Sequence, residues 1–461
     1  MKTIFIMLSR GIVARNILRT DVFKVLRSAP DVCLVIFVPS GMPEDFKNEF
    51  ASNRVILEEC DEPRYPRYRK AFEAVLQKLV YTDTAKFFMK YGGRWTKKRA
   101  KNKIGALLGH IGSSIISRLP FLKAPFRFVE YRFFKDALYD KYFVYYKPDL
   151  VVSTTIKTKR DIAILKSAKR FNVPTIGMAR SWDNLDRILI AVRPDKLIVQ
   201  NEAMCGLATK LHAIPSKDVF VSGFPQFDVY HRPDAYIKRE DFLLSLGLDP
   251  NKKTIMFASE GVWAPYGHLI AKTLYEMICH NEFVANCNLI VRPHFSDLEE
   301  NNYIPILDNK SGVFVDKHFR SIKFFTDKWD PSYEEMTHLA NELRHSDVLV
   351  TYATTLAIEA SILDTPIINI NFRAPEEPND GPFFGMFYGS SHYSNVINSG
   401  ATRLVNNKEE MQEAINHYLE HPESQNKERQ TVAELLAYKQ DGRAGERVGR
   451  FILEYLKNLL K

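Results

Sequence analysis

The residues of this chain best suited to chemistry collect at the ends of short apolar runs. In VLVTYATTLAIEASILDTPIININ, from Val348 to Asn371, Thr354 and Thr355 close a β-branched run and precede a helical pattern, with Glu359 one turn further on. Small hydroxylated residues at that place suit a helix cap. A helix starting directly after a parallel strand aims free backbone N–H groups and a positive dipole end at the carboxyl edge of the sheet, where anions and nucleotides bind. Glu359 can then accept hydrogen bonds from a ribose hydroxyl pair. Without a ligand, the same run is a plain strand–helix–strand unit with capping threonines and a solvated glutamate.

Three further groups sit at equivalent places. Arg292-Pro293-His294 ends an apolar run, where arginine offers planar bidentate contact to a phosphate and histidine a second donor. The alternatives are a structural ion pair for Arg292 and a capping side chain for His294. Arg180-Ser181-Trp182-Asp183-Asn184-Leu185-Asp186 follows the run Pro174 to Met178. Carboxylates at such a place can act as general bases, Asp183 ahead of Asp186, with Arg180, Trp182 and Asn184 as neighbours at the cleft. A turn in which Asp and Asn satisfy backbone groups is the other reading. Ser9-Arg10-Gly11, with Arg15 and Asn16 behind it, holds the matching place in the first half, where Gly11 would let a ligand approach the backbone. Glu260-Gly261 is a donor contact or a plain turn. The long loop Phe372 to Tyr393 is rich in Pro, Gly and aromatic residues, as a substrate-facing lid would be, and carries His392. No apolar-flanked DxD or cysteine-rich grouping appears, so neither a catalytic metal nor a tightly bound cofactor is expected.

These groups need a scaffold that presents strand ends. Strands are expected at Thr3 to Leu8, Val32 to Val38, Arg54 to Leu57, Leu150 to Ser153, Pro174 to Met178, Lys196 to Gln200 and Val219 to Ser222. Helices are expected at Ala14 to Ala29, Thr158 to Phe171 and Glu202 to His212. The second half repeats the rhythm with strands Thr254 to Ala258 and Asn288 to Arg292 and helices Tyr266 to His280, Ser332 to Arg344 and Lys408 to Glu420. A final helical run covers Lys427 to Lys461. At 461 residues the chain exceeds what one core serves. An N-terminal doubly wound α/β domain, 1-230, therefore precedes a nucleotide-binding one, 231-430, and a helical segment, 431-461, with Pro225 to Arg239 as a polar connection.

An insertion at about 65-146 interrupts the first domain. Between Lys86 and Lys135 there are thirteen Lys or Arg against one acid, Glu130, while the whole chain carries +9. Aromatic and aliphatic residues interleave these charges, which suits an anionic membrane surface along residues 86-135 rather than nucleic acid. A helical insertion with an apolar core face and solvated lysines is the simpler alternative. No apolar run reaches the roughly 18 to 20 residues of a membrane span. The N-terminus lacks a signal-peptide pattern, and five scattered cysteines without a CxxC pair fit a reducing cytoplasm. A cytoplasmic protein, peripheral on the inner face of the membrane, is expected.

The C-terminal half resembles the nucleotide-binding domain of GT-B glycosyltransferases, especially the bacterial surface-polysaccharide enzymes related to CDP-glycerol glycerophosphotransferases and, more distantly, UDP-N-acetylglucosamine 2-epimerases. Arg292-Pro293-His294, Thr354-Thr355 with Glu359, the segment Val221 to Asp228 and Asp441-Gly442-Arg443-Ala444-Gly445-Glu446-Arg447 carry the likeness. It implies two Rossmann-like domains facing a cleft. It also implies metal-independent, inverting transfer of a sugar from a nucleotide-diphosphate donor to a hydroxyl of a surface glycan or lipid-linked precursor. Glycerol-phosphate transfer uses a similar donor and stays open. A nonhydrolysing epimerase shares the fold, yet its Gly-Thr-Arg-Pro-Glu segment is absent from Ser9 to Ala14. A non-catalytic membrane-binding protein would leave Arg292 and Glu359 without a purpose.

Overall fold

The computed structural model describes residues 1–86, 111–117, 119, 123–297, 302–317, 324–378 and 384–459. Two parallel sheets organise it, one of seven strands in the order β3-β2-β1-β4-β5-β6-β7 and one of six in the order β10-β9-β8-β11-β12-β13. The first comprises β1 (Lys2–Met7), β2 (Val32–Pro39), β3 (Val55–Cys60), β4 (Leu150–Ser153), β5 (Thr175–Met178), β6 (Lys196–Val199) and β7 (Val219–Val221). The second comprises β8 (Lys253–Ala258), β9 (Cys287–Arg292), β10 (Val313–Val315), β11 (Val348–Thr351), β12 (Ile367–Ile370) and β13 (Arg403–Val405). Central strands such as β2 and β11 are buried along their whole length, as helices on both faces require of a parallel sheet. The expected strands are present to within a few residues at their ends. The short edge strands β10 and β13 are not among the expected ones.

Strand order reverses between β1 and β4 in one sheet and between β8 and β11 in the other. At such a switch point successive loops diverge and leave a crevice. The two sheets thus offer two crevices, each at a carboxyl edge.

Several helical expectations need correction. Ala14 to Ala29 is two helices, α1 (Gly11–Leu18) and α2 (Asp21–Ser28). The break falls at Thr20, whose hydroxyl donates back to the Asn16 carbonyl at 2.9 Å, and at Arg19, drawn across to Asp330. The downstream helices α3 (Lys159–Arg170) and α4 (Glu202–His212) stand as expected. The polar connection is no exposed linker: Pro225–His231 is a buried 3-10 turn. Its Asp228 accepts the N–H groups of Ala444 and Gly445 at 2.9 and 2.8 Å. The C-terminal run is interrupted at Tyr438 and Gly442, both at positive φ, before the last helix, Ala444–Asn458. That helix crosses back to the first domain, placing Val448, Ile452 and Leu456 in a core with Val22, Phe23 and Leu26 of α2.

The insertion is helical where described, at Arg67–Lys78, Lys123–Phe133 and Asp140–Tyr146. The one acid of the stretch from Lys86 to Lys135 is not solvated. Glu130 is fully buried between Arg69, at 2.6 Å, and Lys166. The expected basic run around Arg94 to Lys103 lies outside the described residues.

The terminal helix meets α2 so closely that a Cβ at Gly449 would stand 2.7 Å from Val25 Cβ. Gly449→Ala is expected to push the two helices apart and cost about 1–3 kcal/mol, the range for overpacking. Urea unfolding midpoints of the two proteins check this.

Candidate functional site

A cavity of about 300 Å³ opens at the switch point of the second sheet and is closed from above by the first domain. From the second domain come Ser259 and Glu260 after β8, Arg292 and His294 at the end of β9, and Thr354, Thr355 and Glu359 after β11. The first domain supplies Arg15, Trp182, Asp183 and Arg187, and the long loop supplies His392. Ten residues singled out in the sequence thus converge on one space. Three of the chain's four tryptophans, Trp182, Trp263 and Trp329, also line it.

Glu359 is buried, and the Tyr230 hydroxyl donates to its carboxylate. Burial raises its pKa, with Tyr230, Arg15 and Arg292 pulling the other way. It stands on a short helix, α5 (Leu356–Ile362). Thr354, not Thr355, receives the Leu356 N–H, at 3.1 Å, while Thr355 has helical backbone and caps nothing.

Arg292 is held in an ion cluster, against Asp316 and, at 2.6 Å, Glu342. Asp316, Glu342 and His338 form a group close enough to ligate a cation, and the guanidinium already fills that role. His294 is neutral: burial, helped by Arg292, pulls it down to about 4. Its Nδ1 pairs with Ser296 Oγ at 2.8 Å. Ser259 ties the two loops together, accepting the N–H groups of Gly261 and His294 at 3.2 and 3.1 Å. Glu260 lies far above the ordinary carboxylate range because burial disfavours its charge and Asp297 and Asp183 repel it. Its charged form is thus the disfavoured one.

On the facing wall, burial would raise Asp183, but Arg187, Arg180, His392 and Lys157 outweigh it and hold the carboxyl below its usual range. Asp183 pairs with Arg187 at 3.2 Å and accepts from Asn184 at 2.8 Å. Asp186 does not line the cavity. It is fully buried, accepting from Thr84 at 2.7 Å and meeting His392 Nδ1 at 3.2 Å. The His392 ring stands edge-on to Trp182, 5.1 Å between centroids.

Four sequence candidates lie elsewhere. A Cβ at Gly11 would fall 1.3 Å from the Trp329 carbonyl oxygen, so the close approach is to the protein itself rather than to a ligand. Gly261, at φ +62°, makes room for Ser296 and His294 and is a positioning residue. Arg180 and Asn184 line a separate cavity of the first domain.

Sequence reasoning missed Tyr230, Arg187 and the stacked pair Phe295 and Trp329, over which Arg15 lies at 5.2 Å from the Trp329 ring. The rarity of tryptophan was the available signal. It also missed His212, which is fully buried with Nε2 facing the Leu185 carbonyl at 2.7 Å and Nδ1 facing the Ile190 N–H at 3.2 Å. The neutral imidazole, donating from Nε2 and accepting at Nδ1, thereby pins both ends of the segment that carries Asp186 and Arg187.

Burial lowers His212 to about 3, so the neutral ring stabilises the fold fully above the unfolded value of about 6.5, and that contribution is lost as pH falls toward 3. Wild-type protein should lose urea stability between pH 7 and 5, with a shallower slope in His212→Gln.

Residues 173–454 match the family described as CDP-Glycerol:Poly(glycerophosphate) glycerophosphotransferase. No curated protein matches the chain. Among solved structures, the complex of S. aureus MnaA with UDP is similar at 13% identity and a TM-score of 0.55, over 99% of this chain and 97% of that one. The UDP-GlcNAc 2-epimerase of Neisseria meningitidis bound to UDP-GlcNAc gives 12% and 0.54, over 98% and 100%. The wall teichoic acid polymerase TagF gives 12% and 0.52, over 100% and 90%. At such identities these structures establish the fold, two Rossmann-like domains in the GT-B arrangement. The family match spans more than half of the sequence, and the chain belongs to the CDP-glycerol:poly(glycerophosphate) glycerophosphotransferase family, a family of transferases.

Proposed function

We propose that this transferase moves a sugar from a nucleotide-diphosphate donor, held in the cleft, to a hydroxyl of a surface glycan or lipid-linked precursor. The observation that carries this reading is the meeting in one cavity of a buried carboxylate on α5, a neutral histidine, a glutamate whose charge burial disfavours and a histidine backed by aspartate. Each has a distinct part. Glu359 takes the ribose hydroxyls. Arg15, Thr354 and Thr355 take the diphosphate, with the aromatic wall of Phe295 and Trp329 beside it. His294 and Glu260 donate hydrogen bonds to the oxygen that gains charge as the donor bond breaks, where fixed donors act most strongly.

His392 is the base. Asp186 accepts from Nδ1, leaving Nε2 to take the acceptor proton, the logic by which a buried carboxylate sets a histidine's tautomer. The acceptor oxygen then bonds to the anomeric carbon, the bond from that carbon to the phosphate breaks, and the nucleoside diphosphate leaves. Asp183, the first-ranked base from sequence, is too weak a base while Arg187 and Arg180 depress it. It orders the cationic wall instead. A second reading has support in the family description: attack at the phosphorus of CDP-glycerol would transfer glycerol phosphate and release CMP from the same cleft.

No helix among the described residues is long and apolar enough to cross a membrane. The reading includes a peripheral site on the cytoplasmic face, supported by Ile115, Phe128 and Phe133, which are 57%, 62% and 68% exposed beside the basic stretch.

Nucleotides are expected to raise the melting temperature, and Glu359→Ala to weaken donor binding by about 1–3 kcal/mol. Mass spectrometry of products from UDP-sugars and from CDP-glycerol separates the two readings. Absence of stabilisation by every nucleotide would remove both. Asp186→Asn should cut turnover on the order of 100-fold with donor affinity unchanged, and Asp183→Asn should cut it far less. Were Asp183→Asn the dead variant, the base would be Asp183. Wild-type protein should also sediment with anionic vesicles at low salt, and its remaining in the supernatant would remove the membrane site.

A further inference from the structure

Thr84 stands two residues before the basic stretch and well ahead of the family-matched residues 173–454, yet its side chain reaches both Asp186 and His392. It is 1% exposed. Residues 83–86 form a helical turn that both walls of the cleft hold. On the first-domain side, Thr82 Oγ1 donates to the Asp186 carbonyl and accepts the Ala85 N–H at 3.1 Å. Thr82 thus supplies the cap of this turn, and the Thr84 hydroxyl is left for another task. On the side of the long loop, Ser391 Oγ accepts the N–H groups of Asp83 and Thr84 at 3.0 and 3.4 Å, and the Ser391 N–H donates to Thr84 Oγ1 at 3.0 Å. This exchange sets His392, the next residue, against Asp186.

A hydroxyl has one proton and two lone pairs. Thr84 Oγ1 lies 2.7 Å from Asp186 Oδ2, 3.0 Å from the Ser391 nitrogen and 3.3 Å from His392 Nδ1. A backbone N–H can only donate and a carboxylate oxygen can only accept, so the hydroxyl proton goes to Asp186 and one lone pair to Ser391. The remaining lone pair faces His392, and only a protonated Nδ1 can use it. Asp186 Oδ2, 3.2 Å from the same nitrogen, makes the same demand. The Nδ1–H is shared between two acceptors, and Nε2 keeps its lone pair.

The carboxyl group by itself would leave the choice of tautomer open. Asp186 is fully buried, and its Oδ1 has no hydrogen-bond partner among the described residues. A buried carboxyl short of donors can take up a proton instead of holding a charge. Placed on Oδ2, that proton would be donated to Nδ1 and the ring's own proton would move to Nε2. Such a ring is no base at Nε2. By donating to Oδ2, Thr84 keeps that oxygen an acceptor.

We propose that Thr84 is a positioning residue of the transfer reaction: its hydroxyl, with Asp186, fixes the His392 tautomer that carries its proton on Nδ1 and a free lone pair on Nε2. The inference rests on the reading of His392 as the base for its effect on turnover, and on the hydrogen-bond geometry alone for the tautomer. The insertion then has a part in the chemistry as well as in surface contact.

Nitrogen NMR of protein labelled on its histidines tests the tautomer in mildly alkaline buffer, where a histidine ring is neutral. The His392 signals are identified by their loss in His392→Gln, and each variant is first shown to melt near the wild-type temperature. Wild type should carry the ring proton on Nδ1. Thr84→Val keeps the branched shape without the hydroxyl; it should move the ring proton toward Nε2 and cut kcat by on the order of tenfold or more, with the KM for UDP-sugars or CDP-glycerol unchanged. Thr84→Ser keeps the hydroxyl and should match wild type in tautomer and, to within about threefold, in kcat. A wild-type ring protonated at Nε2, an unmoved tautomer in Thr84→Val, or a Thr84→Ser protein as impaired as Thr84→Val overturns the proposal. If Thr84→Val does not fold, the wild-type tautomer and the Thr84→Ser protein decide. Full turnover by His392→Gln, with the tautomer following Thr84 as expected, would sink the reading of His392 as the base and leave the hold of Thr84 on the ring standing. An inactive His392→Gln beside an unmoved tautomer would do the reverse.

Discussion

The hydrogen bonds from Gly11 and Ile12 to one carboxylate of the other domain set the geometry on which the rest depends. Asp327 accepts both N–H groups, at 2.8 and 3.2 Å, and so caps α1 from across the cleft. Three residues on, Asp330 grips Arg19 in a bidentate pair whose side chains are 3% and 4% exposed. Losing one partner of such a pair strands a buried charge, at a cost of about 3–5 kcal/mol. Phe324 and Phe325, in the same segment, pack into the core of the first domain against Phe46. The last helix makes a second crossing in the other direction. With two crossings, the walls of the cleft are built by one continuous packing problem rather than by two domains that happen to meet.

This clamp also decides where an anion can go. A helix that follows the first strand is a common phosphate site, and the glycine at its start suggested one here. The free N–H groups of α1 are already satisfied by Asp327, and the space above Gly11 is filled by the Trp329 carbonyl. Positive charge for a donor must then come from Arg15, one turn further along, and from the second domain. Arg15 can serve because the clamp brings Trp329 beneath its guanidinium.

The sequence made the parallel strands legible because residues buried on both faces are written as unbroken apolar runs, as in β2 and β11. Residues at the strand ends were legible for the same reason: an apolar run that stops at Arg292 or Thr354 announces its own edge. Roles that depend on distant partners were not legible. Nothing near Glu130 in the sequence says that Arg69 and Lys166 enclose it, and nothing near Glu359 says that Tyr230, 129 positions earlier, donates to it. Asp183 and Asp186 look equivalent along the chain. Their difference is set by Arg187 on one side and by Thr84 and His392 on the other.

That difference shows how one short segment can serve two chemistries. Between Arg180 and Arg187 stand two carboxylates, and the chain turns so that Asp183 faces the cleft, Arg180 and Asn184 face the separate cavity of the first domain, and Asp186 points into the protein. Arg187, held by Asp183, lines both cavities. Cations surround Asp183 and lower its pKa, and Asp183 in turn helps to raise that of Glu260 across the cleft. The two environments push the carboxyl pKa values in opposite directions across one cleft.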